Sequence, residues 1–253
     1  MTTKELDTYF RKLLDIEGFA PVDDSLNGIQ VDNDGAEVRK VVFAVDACLE
    51  TITAAAQRGA GMLFVHHGLF WGKPSRISGA LRERIRVLLE HNVALYGVHL
   101  PLDANLEVGN NRVLADLVGL RDLEPFGLYH GKKIGVKGYL TEPMSVDEVV
   151  KKISFMNRGP AAVHSFGKKE SRTCAIVSGG AAFESLEAIE EGIDLYITGE
   201  ASHSVYHYAL EGKLNMIAGG HYSTEVWGVR RVMERLAAET ELEVEFIDVP
   251  TGL

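Results

Sequence analysis

Histidine and carboxylate side chains are grouped at three places along this sequence, and these residues carry its clearest potential for chemistry. The groups are an adjacent histidine pair and two segments in which an acid follows a histidine by four positions: His66-His67, His99-x-x-x-Asp103 and His221-x-x-x-Glu225. Imidazole and carboxylate are ligands that zinc, manganese and iron take from proteins, and three or four of them suffice for one ion. The donors are therefore numerous enough for two metal ions, and a carboxylate such as Glu225 could bridge them.

Short apolar runs precede these groups and predict strands that are buried on both faces. The runs are VVFAV, MLFV and VALYGV in the first half and TCAIV, LYIT and NMIA in the second. Other polar side chains, Asp46, Ser178 and Glu200, also follow such runs. In open α/β sheets, ligands bind at the carboxyl ends of parallel strands, because the loops leave the sheet there. We therefore expect the histidines and acids to lie at one edge of a sheet.

The two halves of the chain follow the same order of predicted elements. Val41–Val65 and Thr173–Ile197 each contain a strand, a helix and a second strand, which favours internal duplication of a β-α-β-α-β unit. The expected fold class is therefore α/β, with two similar α/β lobes. The first lobe is residues 1–125 and the second is residues 126–253, and together they are expected to form one compact unit.

Outside this repeat, the sequence predicts two helices and an irregular stretch. Helices are expected around Ser145–Phe155 and at Glu225–Thr240. Gly18–Gly35 is rich in turn formers and strand breakers, so it is expected to be irregular. Within it, Asp23 and Asp24 are expected in a solvated turn.

Composition and charge exclude several classes of protein. With 46% apolar and 25% charged residues among 253, the chain has the composition of a soluble globular protein. Its formal net charge of −10 has the wrong sign for broad nucleic-acid binding, which depends on neutralising phosphates. No apolar run approaches the ~20 residues that span a bilayer, and the charged N-terminus lacks the apolar core of a signal peptide. We therefore expect a cytoplasmic protein with no membrane partner.

Five segments carry a family resemblance: SLNGIQV, FVHHG, GVHLPLDAN, YITGE and GGHYSTE. In this order and spacing, from Ser25 to Glu225, they resemble the Nif-three-like family of dinuclear metal proteins, often named GTP cyclohydrolase I type two homologues. The resemblance implies two α/β lobes facing each other across a cleft, with the metal site between them. It also implies a homo-oligomer, a toroidal hexamer. Some members carry an inserted domain, and only Arg121–Lys132 is available for one here, so the sequence resembles the short form.

The resemblance also implies roles for particular residues. The family's metal ligands fall on five positions of this sequence: His66, His67, Asp103, His221 and Glu225. His99, in the loop before Asp103, is expected to be catalytic as a proton shuttle or to orient the site, and Glu200 is a further candidate for a catalytic base. The expected cofactors are two divalent metal ions per chain, and the donor set suits Zn, Fe, Mn or Ni.

A metal-dependent hydrolase is the function that these expectations favour. Its substrate would be a small molecule, a nucleotide or related heterocycle, attacked by a metal-activated water. The cyclohydrolase activity itself rests on the resemblance alone. The alternative is a non-enzymatic protein that binds metal for storage, delivery or regulation. Phe70 and Trp71, in the loop after His67, could stack on a substrate ring, or they could pack against the rim of the site or against a neighbouring subunit.

Overall fold

The computed structural model describes residues 1–153 and 159–253, which form two compact units. The units are Met1–Leu102 with Val229–Val249, and Asp103–Gly228 with Pro250–Leu253. These bounds differ from the predicted lobes, 1–125 and 126–253, because the chain returns to the first unit with its last long helix and last strand. Each unit contains one mixed sheet together with helices, which confirms the α/β fold class.

The first unit is built on a five-stranded sheet. Its elements, in chain order, are α1 (Thr3–Leu13), α2 (Ile16–Phe19), β1 (Gly28–Val31), β2 (Lys40–Asp46), α3 (Leu49–Gln57), β3 (Met62–His67), α4 (Gly79–Glu90), β4 (Ala94–Gly97) and β11 (Glu243–Phe246). The strand order is β1-β4-β3-β2-β11. Neighbouring strands are parallel throughout, except that β1 pairs with β4 in the antiparallel direction.

Both faces of this sheet are buried. On one face, Val42 and Leu63 pack with apolar residues of α3 and α4. On the other, Phe64 and Tyr96 meet Phe10 of α1, whose ring centroid lies 4.9 Å from each of theirs. Because the side chains on both faces of the sheet are buried, the sequences of β2 and β3 are continuous apolar runs in which apolar and polar residues do not alternate.

The second unit is built on a six-stranded sheet. Its elements, in chain order, are α6 (Asn110–Val118), β5 (Leu120–Tyr129), β6 (Lys132–Met144), α7 (Val146–Ile153), β7 (Ala162–His164), β8 (Ser171–Val177), α8 (Ser185–Glu190), β9 (Leu195–Thr198), α9 (His203–Glu211) and β10 (Asn215–Ala218). The strand order is β5-β6-β8-β9-β10-β7, with β8, β9 and β10 parallel and the other pairs antiparallel. Leu114 of α6 and Val149 of α7 join Ile176 and Ile197 in its core.

Two helices contain a boundary between the units. They are α5 (Leu100–Asp103) and α10 (His221–Glu239). No helix of the two described segments combines the length and the apolar composition that crossing a bilayer requires.

Some elements differ from the sequence-based expectation. The strand β1 lies within Gly18–Gly35, which is predicted to be irregular. The strand β5 occupies most of Arg121–Lys132, for which the sequence predicts no element. The helix predicted around Ser145–Phe155 is α7, and positions 154 and 155 lie outside the described residues.

Each unit contains one β-α-β-α-β run with three parallel strands. The runs are β2-α3-β3-α4-β4 in the first unit and β8-α8-β9-α9-β10 in the second. This common order agrees with the predicted repeat, while an origin by internal duplication stays a prediction. In both runs, the candidate site residues lie at or just after the carboxyl ends of the strands.

Candidate metal centre

The first group of candidate ligands lies where β2, β3 and β4 end. His66 and His67 are the last two residues of β3, and His99 comes two residues after the end of β4. The parallel register pairs Asp46, the last residue of β2, with His67. We call His66, His67 and His99 the histidine cluster.

The three rings of the histidine cluster lie close together. The ring centroid of His66 lies 4.6 Å from that of His67 and 5.2 Å from that of His99, and the latter two are 5.8 Å apart. One nitrogen from each ring lies within 4.8 Å of the others. Successive residues of a regular strand point to opposite faces, yet the rings of His66 and His67 lie close together at the end of β3.

Two rings of the cluster are oriented by acceptors that lie on, or directly after, the neighbouring strands. Nδ1 of His66 donates to the carbonyl oxygen of Val98 at 2.9 Å, and Nδ1 of His67 donates to Oδ1 of Asp46 at 2.9 Å. A carbonyl or carboxylate oxygen only accepts, so the proton of each neutral ring is on Nδ1. Nε2 then presents its lone pair, the form in which imidazole binds a metal ion.

Asp23 orients the third ring. Its Oδ1 accepts from Nδ1 of His99 and from the backbone N–H of Ser25, both at 2.9 Å. Its Oδ2 accepts from the side-chain amide of Asn27 at 2.9 Å and from the N–H of Leu100 at 3.0 Å. Burial raises the pKa of Asp23, but these donors outweigh it and hold that pKa below its ordinary value. The predicted solvated turn is therefore wrong for Asp23, which is buried.

The second group lies in the loops that follow β8, β9 and β10. The backbone N–H groups of Gly199 and Glu200 both donate to the carbonyl oxygen of Gly179 at 3.0 Å. The N–H of Gly220 donates to Gly199 at 2.9 Å, and the N–H of Gly179 donates to Oγ1 of Thr224 at 3.0 Å. These bonds tie the three loops to one another and to α10.

His221 and Glu225 lie on the first turn of α10. The sequence predicts a helix from Glu225, but the helix begins at His221, so the two side chains are four residues apart on one helical face. Nε2 of His221 lies 3.2 Å from Oε2 of Glu225, and its Nδ1 donates to Oε1 of Glu200 at 2.6 Å. Burial lowers the pKa of His221, but these two carboxylates outweigh it and raise that pKa to about 9. They therefore favour positive charge at this point.

Asp103 ends α5 and is buried. Its Oδ1 accepts hydrogen bonds from Oγ of Ser178 at 2.9 Å and from the side-chain amide of Asn110 at 2.8 Å. Ser178 directly follows β8, so one loop orients Asp103 and continues into Gly179. The carboxylate of Asp103 is thus oriented by a hydroxyl and an amide, both uncharged donors.

Gly179 leaves room for the donor atoms of the second group. A Cβ at this position would lie 2.2 Å from Oε1 of Glu225 and 3.3 Å from Nε2 of His221. The backbone φ is +69°, a conformation that residues with a side chain rarely adopt. Glycine therefore preserves the space in front of these two ligand candidates.

Comparisons with known proteins agree with this arrangement of motifs. The family model described as Duf34/NIF3 (NGG1p interacting factor 3) matches residues 1–252. The chain belongs to the Duf34/NIF3 family. The GTP cyclohydrolase 1 type 2 homolog of Treponema pallidum (strain Nichols) is 42% identical over 286 residues, and that of Archaeoglobus fulgidus is 43% identical over 253, each with 100% of both chains covered. The sequence resemblance is thereby confirmed.

Solved structures share the fold of this Duf34/NIF3 chain. The protein ybgI, described as of unknown function, has a TM-score of 0.92 at 34% identity, with 100% of both chains covered. TTHA1606 from Thermus thermophilus has a TM-score of 0.89 at 39% identity, also with 100% of both chains covered. Reduced HcgD from Methanocaldococcus jannaschii has a TM-score of 0.85 at 27% identity, with 98% of each chain covered.

The donor set of this Duf34/NIF3 chain fits divalent metal ions. Each ring of the histidine cluster, and His221, has its Nδ1 held by an acceptor, which is the usual arrangement of metal-binding histidines. Asp103 and Glu225 add buried carboxylates. Imidazole and carboxylate together could bind Zn, Fe, Mn or Ni.

The structure places the predicted site residues in two groups. The first unit holds the histidine cluster, and the second holds the remaining predicted residues: Asp103, Glu200, His221 and Glu225. Glu200, predicted as a catalytic base, directs its Oε1 to His221. Sequence reasoning missed Asp23 and Asn110, because nothing in their local sequence distinguishes them from turn and helix-start residues.

Proposed function

We propose that this chain is a metal-dependent hydrolase that binds two divalent ions. The ligands would be those that the family resemblance implies: His66, His67, Asp103, His221 and Glu225. One observation carries the proposal. Four histidines from three separate segments of the chain have their Nδ1 atoms bonded to acceptors, so that each can offer Nε2 as a ligand.

Divalent ions would supply Lewis acidity and lower the pKa of a bound water toward ~7. The chain's own residues would hold and orient the reacting groups. His99 is held by Asp23 with its Nε2 free of that bond, so it could take up or release a proton as a catalytic acid or base. Glu200 is better suited to positioning His221 than to acting as a base, because one of its oxygens already accepts from that ring.

The proposed substrate is a small molecule, a nucleotide or related heterocycle. Support comes from the names of the relatives, which are called GTP cyclohydrolase 1 type 2 homologs. The absence of a phosphate-binding glycine motif from the sequence leaves recognition to the site itself.

The test combines metal analysis with a hydrolysis panel. Protein purified without added metal is first analysed for its metal content. It is then stripped with a chelator and reloaded separately with Zn, Fe, Mn or Ni. Each form is assayed for hydrolysis of nucleotides, esters and cyclic amides. We expect two ions per chain and metal-dependent turnover of at least one compound. Ions without turnover would contradict the hydrolase and leave a metal-binding protein for storage, delivery or regulation.

Variants connect the ions to the proposed ligands. His66→Ala and His221→Ala should lower the metal content while the circular dichroism spectrum is retained. His91→Ala and His207→Ala are matched controls, because both histidines are exposed and lie outside the two groups. An unchanged metal content in His66→Ala and His221→Ala would contradict the ligand assignment.

Assembly and location are further parts of the proposal. The family resemblance supports a homohexamer, which light scattering at moderate salt tests directly. A monomer across the micromolar range would contradict it. A cytoplasmic location is part of the proposal, and fractionation of cells tests it.

A further inference from the structure

An open groove of about 760 Å³ lies in the first unit beside the histidine cluster. Apolar side chains line much of it, among them Ile16, Leu26, Phe70, Trp71 and Ile77. Its volume is within the range of about 300–1,000 Å³ that small-molecule pockets occupy. We call it the tryptophan groove.

Two of its lining residues contact the ring of His99. The ring centroid of Trp71 lies 4.9 Å from that of His99, with an angle of 76° between the ring planes. Asp23 also lines the groove and accepts the hydrogen bond from Nδ1 of His99. A molecule bound in the tryptophan groove would therefore lie next to the histidine cluster.

The backbone holds Trp71 in place before any molecule binds. Trp71 forms an isolated antiparallel bridge with Ser25, and the N–H of Leu26 donates to the carbonyl oxygen of Phe70 at 3.0 Å. The indole Nε1–H donates to the carbonyl oxygen of Gly68 at 3.1 Å. A fixed aromatic ring offers contact area without the entropic cost of ordering a mobile side chain.

The apolar wall of the groove is unusually exposed. Leu26 is 54% exposed, Ile77 is 60% exposed and Trp71 is 38% exposed. Covering apolar surface with a ligand is favourable by roughly 25 cal/mol per Å². Neighbouring exposed apolar side chains in a concave site therefore favour a ligand with an apolar face.

The groove is lined by two basic side chains, Arg11 and Lys73, and by three acidic ones, Glu17, Asp23 and Asp24. Arg11 is bonded to Asp7 and Glu17, and Asp23 is surrounded by its own donors.

Two further charged residues line the groove, Asp24 and Lys73. Within the described segments, neither side chain has an ion pair, and their charges are opposite. The groove thus has no surplus positive charge for a phosphate chain, but it has one donor and one acceptor for the polar edge of a ring.

We propose that the tryptophan groove binds an uncharged, planar heteroaromatic ring against Trp71. The ring's polar edge would be recognised by Asp24 and Lys73, and its apolar face would cover Leu26 and Ile77. The proposal rests on the proposed function in that it assigns the groove to the substrate of the same site. According to this proposal, the tryptophan groove recognises the base of a nucleotide and not its phosphates.

Calorimetry with matched probes tests the proposal. Guanosine and GTP differ in charge, and uridine and dihydrouridine differ in the planarity of the ring. Each is titrated into the protein as purified and into protein treated with a chelator, so that binding to metal is separated from binding to the groove. We expect guanosine to bind at least as tightly as GTP in chelated protein, and uridine to bind more tightly than dihydrouridine.

The variants are chosen in matched pairs. Trp71→Ala should weaken guanosine binding about 5- to 150-fold, the usual contribution of a base stacked on an aromatic side chain, and Trp71→Phe should restore most of it. Ile77→Ala should weaken binding less than Trp71→Ala does. Leu89→Ala is its control, because Leu89 is 62% exposed and is not a lining residue of the groove.

Several results would overturn the proposal. Among the variants, these are equal binding of guanosine by wild type and Trp71→Ala, or equal effects of Ile77→Ala and Leu89→Ala. Among the probes, they are tighter binding of GTP than of guanosine by chelated protein, or no binding of any probe. The proposed function fails separately. Probe binding without turnover of any compound refutes the hydrolase and leaves the groove, whereas turnover whose kcat/KM is unchanged in Trp71→Ala refutes the groove and leaves the hydrolase.

Discussion

Asp46 accepts a hydrogen bond from Nδ1 of His67 at 2.9 Å, across the last paired positions of two parallel strands. The sheet register alone sets this contact, because it places the two residues side by side. Asp46 is thereby a positioning residue, which fixes the tautomer and direction of a candidate metal ligand. A carboxylate also accepts from Nδ1 of a histidine in the second unit, where Glu200 bonds to His221.

The first prediction concerns this orienting carboxylate. Asp46→Ala should weaken metal binding about 10- to 100-fold, because His67 loses the acceptor that holds its ring. Competition with a chromophoric chelator measures the affinity. Glu50→Ala is the control, an exposed carboxylate on the adjacent helix α3. Equal affinities of the two variants would contradict the positioning role.

The second prediction concerns His99. His99→Ala should retain both metal ions and lose ~10²–10⁴-fold in hydrolytic rate, the usual contribution of a positioned acid or base. Elemental analysis and steady-state kinetics on the substrate found by the panel measure the two effects. Loss of an ion would make His99 a ligand, as its closeness to His66 and His67 also permits, and an unchanged rate would remove it from the reaction.

Much of the fold could be predicted because its central strands are buried on both faces. Such strands are short continuous apolar runs, so β2, β3, β8 and β9 are evident in the sequence. The candidate ligands could be predicted for a related reason, since polar residues that follow such runs lie at the carboxyl edge of a parallel sheet.

The missed elements lack that apolar signal. In β5, exposed residues alternate irregularly with buried ones and Pro125 interrupts the run, while β1 is a four-residue edge strand that begins at Gly28 with φ of +111°. Asp23 could not be predicted for a different reason. Its contact with His99 joins positions 76 residues apart, and only the tertiary fold creates it.

The third prediction concerns the pH dependence of stability at Asp194. Burial raises the pKa of Asp194, but donors outweigh it and hold that pKa below its ordinary value. Oδ1 accepts from Nζ of Lys168 at 2.6 Å, and Oδ2 accepts from the N–H groups of Arg172 at 2.9 Å and Thr173 at 3.3 Å. The charged carboxylate thus contributes stability above the unfolded pKa of ~3.9, and this contribution is lost as the pH falls through the lowered folded value.

Asp194→Asn should therefore lower the free energy of unfolding by about 1–3 kcal/mol near pH 7, because an amide nitrogen replaces one acceptor. The difference from wild type should shrink below about pH 4, where the wild-type carboxylate becomes protonated. Urea unfolding at a series of pH values measures both effects. Glu170→Gln, at an exposed carboxylate, should show neither. A difference that stays constant down to pH 3 would contradict the role of the charge.

The last prediction separates steric room at the candidate metal centre from backbone strain. Gly179 and Gly192 lie in the same unit and share a φ of +69°, but only Gly179 has atoms in the way of a Cβ. In Gly179→Ala, the new methyl group would lie 2.2 Å from Oε1 of Glu225, so the carboxylate must shift from its position beside His221. At Gly192 no atom lies within 4 Å of the added Cβ, and alanine there costs only the roughly 1–2 kcal/mol of a left-handed residue.

Both variants should therefore lose similar stability from strain, while metal affinity should fall by about tenfold or more in Gly179→Ala alone. Chelator competition and urea unfolding on the two proteins measure the comparison. Equal metal affinities would show that Glu225 and His221 do not need the space that Gly179 leaves, and would remove this pair from the ligand set.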